Sequence, residues 1–151
     1  DYKWTAVTRF VGERAKKLNH PELWALVAKK YPDLHLNLAH FGGSKALNEA
    51  LKHPLDHSLW SNAIISLIAN PDYQVYTDLS CIGAKNKDVI KNLIADPRCD
   101  TFKHRIMYGS DFYLCKMFHD DLAQTYNTFK EVFGEEFDKI GRENGERFLC
   151  M

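Results

Sequence analysis

Three apolar segments of this chain each end in side chains that could take part in catalysis. The polar residues at these ends are, in chain order, His40, then Asp78 with Ser80, and finally Asp111. Imidazole and carboxylate groups are the usual general acids and bases of enzymes, provided that the fold brings them together. Parallel strands place their functional groups just beyond their carboxyl ends. We therefore take these residues as candidate site residues.

The segment before Asp111 has the character of a buried parallel strand. The apolar run 106–108 stops at Gly109, and the carboxylate follows two residues later. Such a strand is apolar throughout because both of its faces are covered, and glycine permits a turn or a close approach of the backbone. In the competing interpretation Asp111 only caps the next helix. Three such ends are harder to explain as three independent caps.

Helical patterns separate the three strand-like segments. We predict strands over 34–40, 75–80 and 105–108, and helices that begin near Pro21, Ser44, Ser58, Asn86 and Asp120. Alternation of this kind indicates right-handed parallel βαβ units and an α/β fold. Three strands are few for an independent sheet, and a complete (β/α)8 barrel needs roughly 200 residues or more. The chain is then either a small open α/β sheet or the last portion of a barrel.

The composition bounds the function. The 151 residues include 20 basic and 20 acidic side chains, so the formal charge is zero and neither nucleic acid nor an anionic membrane is an expected partner. No apolar run is long enough to cross a membrane. The four cysteines form no close pair and are expected to be reduced thiols of a cytoplasmic protein. We treat residues 1–151 as a single α/β unit.

Four motifs, taken together, resemble the C-terminal portion of amidohydrolase-related proteins, a branch of the metal-dependent hydrolase superfamily. They are Leu-Ala-His-Phe-Gly-Gly at 38–43, Tyr-Thr-Asp-Leu-Ser at 76–80, Met-Tyr-Gly-Ser-Asp-Phe at 107–112 and Glu-Asn-Gly-Glu-Arg-Phe at 143–148. The resemblance covers nearly the whole chain from about Pro21. It implies a partial (β/α)8 TIM barrel, in which the three strands are strands six to eight with their helices.

The resemblance also implies roles for the candidate residues. Asp111 matches the strand-eight aspartate, which binds a divalent metal and accepts a proton from the attacking water. His40 matches the strand-six histidine, which binds metal or polarises the substrate carbonyl. Asp78 and Ser80 fall where the family lines its substrate pocket. The implied cofactor is a divalent metal, with zinc as the expected ion, and the implied substrate is a small molecule.

The chain departs from the family pattern in its metal ligands. No His-x-His pair is present, and His20, which precedes a helix, does not fit the strand-five histidine. Catalytic zinc usually has three protein ligands, so His40 and Asp111 form an incomplete set. The remaining histidines are interpreted as structural or solvated: His35, His53, His57, His104 and His119.

The leading hypothesis is a metal-dependent hydrolase that cleaves an amide, ester or lactone bond of a small molecule. A decarboxylase of the same family is the first alternative. A non-catalytic α/β binding domain, with about five strands in an open sheet, is the second. Because the chain begins at Asp1 and lacks the early motifs, we expect a part of a longer enzyme. Alone, it should bind divalent metal only weakly, show no turnover and be prone to homo-oligomerisation.

The sheet itself carries two further expectations. Consecutive parallel strands joined by right-handed crossovers should be neighbours, which would bring His40, Asp78 and Asp111 to one edge. The period of a strand places His40 on the side of Leu34, Leu36 and Leu38. His35 and Asn37 would then face the helix layer, unless a bulge before His40 reverses the assignment.

Overall fold

A parallel three-stranded sheet is the centre of the fold in the computed structural model, which describes residues 14, 17–117 and 121–150. Its strands are β1 (Leu36–Leu38), β2 (Val75–Asp78) and β3 (Ile106–Met107), in the order β1-β2-β3. Both pairs are parallel, with Leu38 opposite Thr77 and Thr77 opposite Ile106. The α/β class, the parallel direction and the side-by-side order are as predicted, and the strands are shorter than the apolar segments.

Helices make up most of the remaining structure. They are α1 (Pro21–Lys30), α2 (Ser44–Lys52), α3 (Trp60–Ile68), α4 (Lys87–Ala95), α5 (Cys99–Phe102), α6 (Phe112–Met117), α7 (Leu122–Phe133) and α8 (Asn144–Phe148). Short 3-10 turns span Ala39–Gly42, Ala84–Asn86, Lys103–Arg105 and Gly134–Glu136, and a π-helical turn spans Lys139–Glu143. Among the described residues, no helix combines the length and the apolar character that a membrane crossing would require.

The helix α3 supplies the centre of the core. Seven of its nine residues are buried, which explains its nearly continuous apolar sequence. Ile64 and Ile68 pack in one cluster with Val75 of the sheet and with Ile90 and Leu93 of α4. Full burial of each such side chain stabilises the fold by about 1.5–3 kcal/mol. The core therefore fixes one face of the sheet against the helices.

Of the two orientations of β1 that the sequence left open, the structure shows the one in which the leucines, and not Asn37, face the helices. Leu36 and Leu38 pack against the helix-covered core, whereas Asn37 lies on the opposite face, where its amide contacts Asp78 of β2. The strand also ends at Leu38, before His40. The period of two therefore does not extend to the histidine, whose position is set by the following 3-10 turn.

Candidate functional site

The carboxyl ends of the three strands meet at one edge of the sheet, and the predicted site residues lie there. His40 is in the turn after β1, Asp78 is the last residue of β2, and Asp111 follows β3 by a short loop. Parallel neighbours necessarily place their carboxyl ends at the same edge. The prediction that these three residues come together at that edge is confirmed.

Asp78 is the buried centre of a hydrogen-bond network. Its Oδ1 accepts from the backbone N–H of His40 at 3.1 Å, from the backbone N–H of Ser80 at 3.0 Å and, through a short bond, from the Ser80 hydroxyl. Its Oδ2 accepts from Asn37 Nδ2 at 2.7 Å. Only 8% of the residue is exposed. The carboxylate therefore ties the end of β2 to the loop that carries His40.

The same network determines which nitrogen of His40 carries a proton. The Ser80 Oγ lies 2.6 Å from His40 Nδ1, and its own hydrogen is donated to Asp78. The serine oxygen must then accept from Nδ1–H, because a hydroxyl has only one hydrogen to donate. Neutral His40 consequently presents an unprotonated Nε2. A histidine held in this way is ready to bind a metal or accept a proton.

Gly109 makes this arrangement possible by its lack of a side chain. A Cβ at this position would lie 3.0 Å from the Ser80 Cβ and 3.6 Å from Asp78 Oδ1. The loop after β3 thus approaches the end of β2 so closely that a side chain at this position would crowd Ser80. The close approach that the sequence predicted at this glycine is present, and its neighbours are the two residues that hold His40.

Three potential metal ligands form a cluster just beyond this edge of the sheet. One ligand atom from each of His40, Cys81 and Asp111 lies within 4.8 Å of the others. The Cys81 thiol donates to Asp111 Oδ2 at 2.8 Å. His40 and Asp111 are partly buried, whereas Cys81 is exposed. The cluster joins a nitrogen, a sulfur and an oxygen donor from the loops that follow three different strands.

All three residues of the cluster have left-handed backbone conformations. Their φ angles are 62° at His40, 58° at Cys81 and 45° at Asp111. For residues other than glycine this conformation is unfavourable by about 1–2 kcal/mol each. Such strain is typical of functional sites, where the surrounding structure holds it in place. Here the strain coincides with the three potential ligands.

Neither Cys81 nor Asn37 was predicted from the sequence to belong to the site. Cys81 was interpreted as one of four ordinary reduced thiols, and Asn37 was assigned to the helix side of β1. The available signal for Cys81 was its position directly after Ser80 at a strand end. Nothing in the sequence indicated that its thiol would reach Asp111, 30 residues away in the chain.

The other described histidines lie outside this cluster. His20 is the N-cap of α1, where its Nδ1 accepts from the backbone N–H of Glu22. The His35 ring stacks on Tyr76 and contacts the Phe148 carbonyl. His53 and His57 are exposed in the loop after α2. His119 lies outside the described residues.

A separate cavity of about 280 Å³ lies near the amino end of β3. Cys99, His104 and Asn144 line it, and Asn144 donates to the Ile106 carbonyl at the beginning of the strand. Burial raises the pKa of the Cys99 thiol to about 11, which keeps it protonated at neutral pH. This cavity is at the opposite end of β3 from Asp111 and is not part of the ligand cluster.

Comparison of the chain with models of protein families, with curated proteins and with solved structures gave no match.

Proposed function

We propose that the protein is a metal-dependent hydrolase of the amidohydrolase superfamily, which cleaves an amide, ester or lactone bond of a small molecule. The observation that carries the proposal is the convergence of His40 and Asp111 at the carboxyl edge of a parallel sheet. Active sites of (β/α)8 barrels are built at this edge. The three strands in their observed order are compatible with strands six to eight of such a barrel.

The donor set fits a divalent metal. Asp111 offers a carboxylate oxygen and His40 an imidazole nitrogen, both of which are common zinc ligands. A bound ion would polarise the scissile carbonyl and lower the pKa of a bound water to about 7. Asp111 would also accept the proton of that water, which is the role that the resemblance implies for it, and its partly buried carboxylate lies within the cluster.

The tautomer of His40 favours one of its two predicted roles. To polarise a substrate carbonyl, His40 would need a hydrogen-bond donor that faces the substrate. In neutral His40, however, the only ring N–H is at Nδ1, and it donates to Ser80 Oγ. Nε2 then has a lone pair and no hydrogen. This supports metal binding or proton acceptance by Nε2 over donation to a carbonyl. In this proposal Asp78 and Ser80 position His40, and their predicted contact with substrate remains a prediction.

The non-catalytic alternative has less support from the fold. An open binding domain of that kind should have about five strands, with His40 and Asp111 far apart. The described residues contain three strands, and the two side chains lie in one cluster. No contact of the site favours decarboxylation over hydrolysis, so a substrate panel has to separate these two reactions.

The test is an assay of the longest natural form of the protein that contains these 151 residues. The zinc-loaded protein is offered lactones, esters, amides and aromatic carboxylates, and Asp111→Asn is compared with Asp33→Asn, a change at an exposed residue before β1. We expect hydrolysis of one bond class and a loss of kcat/KM of at least about 100-fold in Asp111→Asn only. Full activity of that variant, or no hydrolysis of any substrate class, would refute the proposal.

A further inference from the structure

Cys81 adds a third kind of donor to a cluster that the sequence resemblance limited to His40 and Asp111. Its sulfur lies 2.8 Å from Asp111 Oδ2, and the three residues offer ligand atoms within 4.8 Å of one another. We propose that His40, Cys81 and Asp111 are the three protein ligands of a zinc site, with Cys81 bound as the thiolate. The inference does not depend on the proposed hydrolase activity.

The donor types select the ion. A thiolate and an imidazole are ligands that zinc accepts readily, whereas magnesium and calcium take oxygen ligands. Three protein ligands with an open fourth position is the arrangement of catalytic zinc sites. The exposure of Cys81 leaves the cluster open to solvent, so that a water can occupy the fourth position.

The spacing of the donors requires only small movements. Zinc lies about 2.0–2.3 Å from nitrogen, oxygen and sulfur ligands, so tetrahedral donors are about 3.3–3.8 Å apart. The thiol and carboxylate of this cluster are closer than that, at 2.8 Å, and the widest separation is at most 4.8 Å. Changes of about 1 Å are within reach of side-chain rotation. Zinc would take the place of the thiol proton between Cys81 Sγ and Asp111 Oδ2. Because zinc–ligand distances are longer than the bonds to that proton, the two atoms would move apart.

The backbone already holds the donors in place. His40, Cys81 and Asp111, the residues whose donors lie together, all have left-handed φ angles, and the bond from Nδ1–H to Ser80 leaves Nε2 of His40 to coordinate. Partners of this kind around a ligating histidine orient the ring and raise the affinity for the metal. Ser80 and Asp78 therefore orient the imidazole of His40 without themselves binding the ion.

The chain offers a matched control in Cys150. Like Cys81 it is an exposed cysteine with a left-handed φ, of 59°, and its sulfur lies 3.6 Å from His35 Nε2. Unlike Cys81, it belongs to no described cluster with a third potential ligand. Cys150→Ser removes a thiol of the same exposure and backbone conformation without changing the proposed site.

The experiment titrates the 151-residue chain with Co²⁺ and with Zn²⁺ against a chromophoric chelator. We expect one ion per chain and a sulfur-to-cobalt charge-transfer band in the near ultraviolet. Cys81→Ser should lose that band and bind zinc at least about 100-fold more weakly, while Cys150→Ser keeps both. Circular dichroism of each variant separates loss of the metal from loss of the fold.

A measurement on the unaltered chain completes the test. Stoichiometric zinc should slow alkylation of Cys81 by iodoacetamide, as followed by mass spectrometry, and should leave the alkylation of Cys150 unchanged. The inference is overturned if Cys81→Ser retains the band and the affinity, or if the chain binds no zinc and Cys81 is not protected. Zinc binding by this chain, together with no hydrolysis by the longest natural form of the protein, would refute the hydrolase only. Hydrolysis by that longer form, with zinc binding unaffected in Cys81→Ser, would refute this site only.

Discussion

Replacing Asp78 with alanine should destabilise the protein more than a typical single substitution does. The carboxylate accepts the backbone N–H groups of His40 and Ser80, the Ser80 hydroxyl and the side-chain amide of Asn37. Asn37 is exposed and can bond to water instead. The other three donors contact a carboxylate that is almost fully buried, since only 8% of Asp78 is exposed. Water therefore cannot easily replace the carboxylate as their acceptor.

The magnitude follows from these three donors. Each buried donor left without an acceptor is unfavourable by about 1–3 kcal/mol, so three donors give a range of about 3–9 kcal/mol. Because the bond from the His40 N–H is only partly buried, we expect a loss in the lower part of that range, about 3–5 kcal/mol in the free energy of unfolding. At about 2–4 °C per kcal/mol for a protein of this size, the Tm should fall by about 6–20 °C. Asp78→Asn keeps an oxygen for the backbone N–H groups and should lose only about 1–2 kcal/mol.

Urea denaturation followed by circular dichroism measures these changes, with Tm as a second readout. The control is Asp72→Ala, because Asp72 is exposed shortly before β2 and this substitution should change the stability by less than about 0.5 kcal/mol. If Asp78→Ala stays within about 1 kcal/mol of the unaltered protein, the buried network around this carboxylate does not exist in solution, and the account of the His40 tautomer fails with it.

Three further predictions concern Ser80 of the same network, the buried Cys99 and the two glycines that follow Phe41. Ser80→Ala removes the bond that holds the imidazole of the site and should weaken zinc binding by about 10–100-fold by isothermal titration, while Ser80→Thr retains most of the affinity. Stability should fall as the pH rises from 9 to 11, because burial raises the pKa of Cys99 from 9.0 to about 11 and only the unfolded chain loses the thiol proton in this range; urea titrations should show a flatter profile in Cys99→Ala. Gly42→Ala should lose about 2–4 kcal/mol in the same assay, because its φ is +77° and its Cβ would lie 2.6 Å from Trp60 Cδ1. Gly43→Ala should lose only about 1–2 kcal/mol. Its φ is also positive, at +92°, but a Cβ added there would contact no other residue within 4 Å.

Each of these three predictions has a result that would contradict it. Unchanged zinc affinity in Ser80→Ala would show that the serine does not position the imidazole. A Cys99→Ala profile as steep as that of the unaltered protein would assign the alkaline loss of stability to other groups. Equal losses in the two glycine variants would show that Trp60 does not crowd Gly42.

The sequence by itself determined the class of the fold and the edge of the sheet at which the candidate site lies. Apolar segments that stop at polar residues, separated by helical patterns, are local features, and they predict parallel strands whose ends meet. For this reason the strand order and the meeting of His40, Asp78 and Asp111 could be predicted. These inferences need only the direction and the sequential order of the strands.

Only the tertiary structure decided which side chains touch at that edge. Leu38 packs on the helices and Asn37 on Asp78, because the core selects the face of β1, and a left-handed turn then returns His40 to the face of Asp78. The same kind of turn brings Cys81 to Asp111. Left-handed conformations at residues other than glycine leave no pattern in the sequence, since they are imposed by the surrounding contacts rather than by local preference. Cys81, which the sequence indicated to be an ordinary thiol, is therefore identified as a potential metal ligand only by the tertiary structure.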